Sequence, residues 1–91
     1  MRAAVEISMY PLTDEYRPLI RAFIDRLKPR ANLIVHTNAL STQLWGDLDD
    51  LMRVLSEEIG RSADKGPQLV FVMKVLPGLA PPADLISDRR A

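Results

Sequence analysis

The chain has 91 residues, enough for one domain that buries roughly 60 to 65% of its unfolded surface and gains stability by association. Twelve Lys and Arg balance twelve Asp and Glu, and no segment concentrates the basic ones, which excludes the electrostatic footprint of a nucleic-acid binder. The absence of Cys excludes a disulfide framework, a thiolate metal site and a Cys nucleophile, and suits a reducing cytoplasm. The apolar run 3–9 is too short, and with Glu6 too polar, for a signal peptide. No window approaches the roughly 18 apolar residues of a membrane span, so a cytoplasmic protein without membrane insertion is expected.

Residues 3–12 alternate, with Val5, Ile7 and Met9 on one side and Glu6, Ser8 and Tyr10 on the other, the pattern of a half-buried strand that Pro11 ends. Thr13 or Asp14 then offers an N-cap, Asp14 and Glu15 suit the positive end of a helix, and Pro18 is tolerated near its first turn. Leu19, Ile20, Phe23, Ile24 and Leu27 form one apolar helical face, and Pro29 stops it. The β-branched run 33–37 and the run 42–45 flank a polar turn and predict a hairpin, with Gly46 ending its second strand. Asp47 caps a second helix whose stripe of Leu48, Leu51, Met52, Leu55 and Ile59 runs to about Ser62. Gly66-Pro67 breaks it. Residues 68–76 form the last strand, apolar on both faces apart from Gln68 and Lys74, and therefore expected to be central or covered. Pro77-Gly78 closes the domain at 1–78. A loosely held tail is expected at 79–91, with Leu85 and Ile86 available to dock on a neighbour.

The order βαββαβ with right-handed crossovers predicts an α+β, ferredoxin-like sandwich: a four-stranded antiparallel sheet in spatial order 4-1-3-2 with both helices on one face. The other face is open, and apolar positions there would need a partner chain or a ligand.

Chemistry concentrates in residues 36–47 and in the Glu6, Ser8, Tyr10 row of the first strand. His36, Asn38, Ser41, Thr42 and Trp45 bring amides, hydroxyls, one imidazole and one indole, a set suited to an uncharged or weakly cationic ligand. Each also has a plainer reading. The row on the first strand fits an ordinary solvent-facing strand, Asn38 and Ser41 fit a turn, and Trp45 fits a packing anchor. His36 is the only His, so one chain cannot assemble a two-His metal site, and a structural role is its simplest reading. The helix start at Gly46-Asp47 could attract an anion. The loop Pro11-Leu12-Thr13-Asp14 lacks the Arg and amide of a phosphate-processing site, and no nucleophile and base pair up, so no enzyme, metal or cofactor is expected. Five aromatic residues are too few for an RNA-stacking sheet.

At Ser8-Met9-Tyr10-Pro11-Leu12 and Thr37-Asn38-Ala39-Leu40-Ser41-Thr42-Gln43-Leu44-Trp45-Gly46-Asp47 the sequence resembles the YkoF-like family, which binds thiamine and its hydroxymethylpyrimidine moiety. The resemblance spans about Val5 to Leu76, and the hairpin is its most specific part. It implies a ferredoxin-like, non-enzymatic binder of thiamine or a related hydroxymethylpyrimidine, acting in vitamin sequestration, delivery or transport. Single-repeat members form homo-oligomers, so this one-repeat chain is expected to be a dimer or tetramer whose site a second subunit completes. Asn38, Ser41, Thr42 and Ser8 would then match the donors and acceptors of an aminopyrimidine, and Tyr10 would pack on its ring. Glu6 would face a thiazolium charge, with Trp45 or Tyr10 as its π partner. The alternative is a structural or regulatory oligomeric domain without a small-molecule ligand.

Overall fold

A computed structural model describes residues 1–64 and 66–83. The elements run β1 (Arg2–Pro11), α1 (Tyr16–Leu27), β2 (Ile34–Thr37), β3 (Thr42–Asp47), α2 (Leu48–Ala63) and β4 (Leu69–Pro77). The strands form one antiparallel sheet in the order β2-β3-β1-β4, the expected 4-1-3-2 read from its other edge. The α+β ferredoxin-like architecture follows. Among the described residues no helix is long and apolar enough to cross a membrane. The expected tail lies, over residues 84–91, outside the described residues, and so do Leu85 and Ile86.

Strand periodicity builds the core. Val5, Ile7 and Met9 project from β1 toward the helices and pack with Leu44 of β3, Phe23 and Leu27 of α1, and Leu51, Val54 and Leu55 of α2. Phe71 of β4 reaches this cluster and meets Phe23 at a ring-centroid distance of 5.3 Å. A second, polar seam joins the helices: the Arg26 Nε–H donates to Glu58 Oε1 at 2.7 Å, and Arg26 also donates to Ser62 Oγ at 2.6 Å.

Three local expectations are corrected. Glu15, not Thr13 or Asp14, is the N-cap of α1 and makes no side-chain cap bond. Thr13 instead accepts the Glu15 N–H through its hydroxyl, so its side chain turns the loop one step before the helix. Pro18 is the third helical residue, where an amide would lack an intrahelical partner in any case.

Gly46 lies within β3, opposite Ala3, rather than ending the strand. Its role is steric. A Cβ there would come within 2.7 Å of Leu33 Cδ2 and 3.1 Å of the Asn32 carbonyl oxygen. Asn32 itself holds a left-handed backbone, φ 69°, which Asn tolerates better than most residues. Gly46→Ala is therefore expected to cost about 1 to 2 kcal/mol by overpacking, read as a lower urea midpoint at unchanged slope.

The third correction concerns β4, which is the outer strand and largely exposed. Its two apolar faces had pointed to a central or covered position, yet Val70, Val72 and Leu76 on the open face and Met73 and Val75 on the helix face all reach solvent.

Candidate functional site

Directly opposed residues in antiparallel strands point to the same face, so the pairing register sorts the candidate residues. One cross-sheet row on the open face runs His36, Gln43, Glu6, Lys74, and the next runs Ile34, Trp45, Ala4, Leu76. Ser8 and Tyr10 continue that face of β1 beside Val72 and Val70. The row Thr37, Thr42, Ile7, Met73 faces the helices instead. Asn38 and Ser41 occupy the β2–β3 turn. The eight candidates therefore do not form one cluster.

Five of them border a cleft of about 640 Å³ at the end of the sheet, between α1 and the β2–β3 turn: Ser8, Tyr10, Asn38, Ser41 and Thr42. Its apolar floor comes from Ile7, Met9, Phe23 and Ile24. The turn is built by Asn38, whose Oδ1 accepts the N–H groups of Leu40 at 2.8 Å and Ser41 at 3.2 Å, while its own N–H donates to the Ser41 carbonyl. This is the Asx-type geometry that lets a short polar side chain replace a backbone partner. Thr42 is buried, and its hydroxyl lies 3.1 Å from that of Thr37 across the hairpin.

Glu6 and Trp45 belong to a separate hollow of about 300 Å³ on the open face, shared with Gln43, Lys74, Leu76 and Leu79. Glu6 is already engaged: Ser41 Oγ donates to its Oε2 at 3.1 Å, and Lys74 Nζ lies 3.6 Å from its Oε1. Ser41 therefore connects the turn bordering the cleft to the carboxylate on the other face. Trp45 is only 5% exposed, and its indole N–H has no acceptor among the described residues. His36 is half-buried on β2 and borders neither cavity.

The start of α2 is occupied by its own cap. Asp47 Oδ2 accepts the Asp49 N–H at 3.2 Å, and the Met1 amino group donates to Asp47 Oδ1 at 3.1 Å. That bond holds the Asp47 carboxyl below its usual range and puts a carboxylate where an anion would sit.

Sequence reasoning missed the helical wall of the cleft, Tyr16, Ile20 and Arg21 of α1, and also Thr37. A signal was present: Tyr16, Ile20 and Ile24 recur every four residues along the margin of the apolar stripe, which is wider than the contact with the sheet requires. Among the described residues, Arg21 is the only charged one bordering the cleft.

No family model matches the chain, and no curated protein matches it. Solved structures match over nearly its whole length. A Thermotoga maritima protein named "putative thiamine biosynthesis/salvage protein" superimposes with a TM-score of 0.79 over 99% of this chain and 100% of its own, at 15% identity. A hypothetical protein from Methanocaldococcus jannascii gives a TM-score of 0.75 over 98% of this chain and 93% of its own, at 22% identity. A domain of unknown function from Bacillus cereus gives 0.69 over 92% and 85%, at 20% identity. At these identities the likeness establishes the fold.

Proposed function

We propose that this chain is a YkoF-like, non-enzymatic binder of thiamine or a related hydroxymethylpyrimidine, working as a cytoplasmic homo-oligomer in vitamin sequestration, delivery or transport. The observation that carries the reading is the cleft itself: an apolar floor of Ile7, Met9, Phe23 and Ile24 bordered by the hydroxyls of Thr37 and Thr42 and the amide of Asn38, with Ser8 and Ser41 at its rim. A flat heteroaromatic ring with donors and acceptors on its edge matches that lining. The whole-length likeness to the Thermotoga protein, whose name refers to thiamine, supports the same reading.

The charges favour the pyrimidine over the thiazolium. Glu6, the expected counter-charge, lies outside the cleft and is already held by Ser41 and Lys74, whereas Arg21 borders the cleft. On this reading the neutral hydroxymethylpyrimidine enters the cleft and any thiazolium faces solvent. Each neutral hydrogen bond contributes about 1 kcal/mol net, so micromolar affinity, about 8 kcal/mol, needs several such bonds together with burial of the ring.

Titration calorimetry with hydroxymethylpyrimidine and with thiamine tests this. Saturable heat with both, and no weaker affinity for the pyrimidine alone, is the expected result; no heat with either at millimolar ligand removes the ligand assignment. The exposed apolar faces of β4 favour a second reading, an oligomeric structural or regulatory domain that binds nothing small. A rise in melting temperature with added pyrimidine separates the two, because only a ligand bound by the native state produces one.

A further inference from the structure

We infer that the cleft takes its pyrimidine as a phosphate monoester, with Arg17 and Arg21 of α1 holding the phosphate at the cleft mouth. This deepens the ligand reading above and rests on it.

Basic side chains elsewhere in the fold are engaged. Arg26, Arg30, Arg53, Arg61 and Lys74 each stand beside a carboxylate of their own chain. Arg17 and Arg21 are exposed and, among the described residues, have no such partner, although Asp25 stands one turn beyond Arg21. The two arginines lie four residues apart on one helix face, where like charges repel. Arg17 also sits in the first turn of α1, the end at which the helix dipole disfavours a cation, and no acid accompanies it in that turn. Neither ion pairing nor helix stability explains two guanidinium groups at this place. An anion bound between them does.

Both groups are positioned at the cleft. Arg21 borders it directly. The Arg17 guanidinium lies over the Tyr16 ring, 5.7 Å from its centroid, and Tyr16 is itself part of the cleft wall. A hollow of about 400 Å³ beside the cleft shares Ile20, Arg21 and Ile24 with it and adds Arg17 and Pro18, so the two form one continuous surface along α1. Among the described residues, the only charged ones lining that hollow are these two arginines.

The chemistry of the ligand follows from that layout. The apolar floor takes the ring, the β2–β3 turn takes its polar edge, and the arginines take what the ring projects toward α1. A hydroxymethyl group can be esterified, and its ester sets the phosphorus two bonds beyond the methylene carbon, so the anion leaves the apolar floor while the ring stays on it. A carboxylate offers two oxygens, enough for one guanidinium fork, whereas a phosphate monoester offers three and can serve both. An amine or a thiazolium would meet the same groups with like charge.

Titration calorimetry with hydroxymethylpyrimidine, its phosphate monoester and inorganic phosphate tests this. The chains compared are the parent, Arg21→Gln, Arg17→Gln and Arg53→Gln, the last a control that removes one positive charge from α2, outside the cleft lining. The monoester is expected to bind the parent chain about tenfold or more tighter than the alcohol at about 50 mM salt, with the ratio falling as salt is raised. In Arg21→Gln and Arg17→Gln that ratio is expected to drop to about threefold or less at unchanged circular dichroism, while Arg53→Gln keeps it. A ratio near one in the parent chain, with both pyrimidines bound, would overturn the phosphate assignment and leave the ligand reading standing. Heat from neither pyrimidine would remove both. An equal drop in Arg53→Gln would mark general charge attraction in place of a site and overturn the proposal, as would inorganic phosphate binding as tightly as the monoester.

Discussion

Replacing Arg26 with Met is expected to lower stability by about 3 kcal/mol, more than replacing its partner Glu58 with Gln, which is expected to cost about 1 to 2 kcal/mol. The order follows from burial. The Glu58 side chain is 1% exposed, while the three guanidinium groups around it, those of Arg26, Arg30 and Arg61, all reach solvent. Taking away the carboxylate's charge leaves arginines that can turn to water, and the Gln carbonyl can still accept from the Arg26 Nε–H. Taking away Arg26 instead removes the 2.7 Å donor to a carboxylate that stays buried. Arg30 at 3.6 Å and Arg61 at 3.7 Å then remain as its more distant partners. Ser62 loses its 2.6 Å donor in the same step, although its own hydroxyl still donates to the Glu58 carbonyl. Urea unfolding of the two single variants and the double variant measures this. A Glu58→Gln cost larger than that of Arg26→Met would show that the arginines, not the carboxylate, are the expensive groups to leave alone. The coupling also ties α1 to α2, so Arg26→Met is expected to loosen the helix that walls the cleft.

The fold was legible because its elements carry strong periods. Val5, Ile7 and Met9 alternate as the helix face of β1 must, and Leu51 and Leu55 mark α2 at helical spacing, as they do in the core. Gly46 was misread because glycine signals a strand end by propensity, whereas here it makes room for Leu33, a contact set by tertiary packing. β4 was misread for a related reason. Two apolar faces state that a strand is to be covered but do not say by what, and the helices of this chain leave much of it open. For the site, the hairpin residues were legible as a polar group, but the period of two in β3 separates them: Thr42 and Trp45 are three apart and fall on opposite faces of the sheet. The wall from α1 was legible only as the four-residue recurrence of Tyr16, Ile20 and Ile24; that the crossover brings it to the β2–β3 turn is a tertiary fact no local pattern reports.

Asn38 gives the sharpest test of the cleft, because its two amide atoms are given different tasks. Oδ1 is spent on the turn, accepting from Leu40 and Ser41, while among the described residues nothing accepts from Nδ2. Nδ2 is therefore the atom assigned to a ring-nitrogen acceptor of the pyrimidine. Asn38→Asp keeps an oxygen for the turn and deletes that donor. It is expected to leave the melting temperature nearly unchanged and to weaken pyrimidine binding by about 1 to 3 kcal/mol, roughly 5- to 150-fold, since a ring nitrogen would then face an acceptor. Asn38→Ala deletes both atoms, so it should match that loss of affinity and add about 1 kcal/mol of destabilisation from the unmade turn bonds. The pair of variants distinguishes a residue that binds from one that only shapes the loop. If Asn38→Asp binds as tightly as the parent chain while Asn38→Ala binds worse, the side chain acts through the turn alone, and the donor to the ligand must be a hydroxyl of Thr37 or Thr42. If both variants lose affinity equally while only Asn38→Ala loses stability, the amide itself touches the ligand, and the polar side of the cleft is the turn.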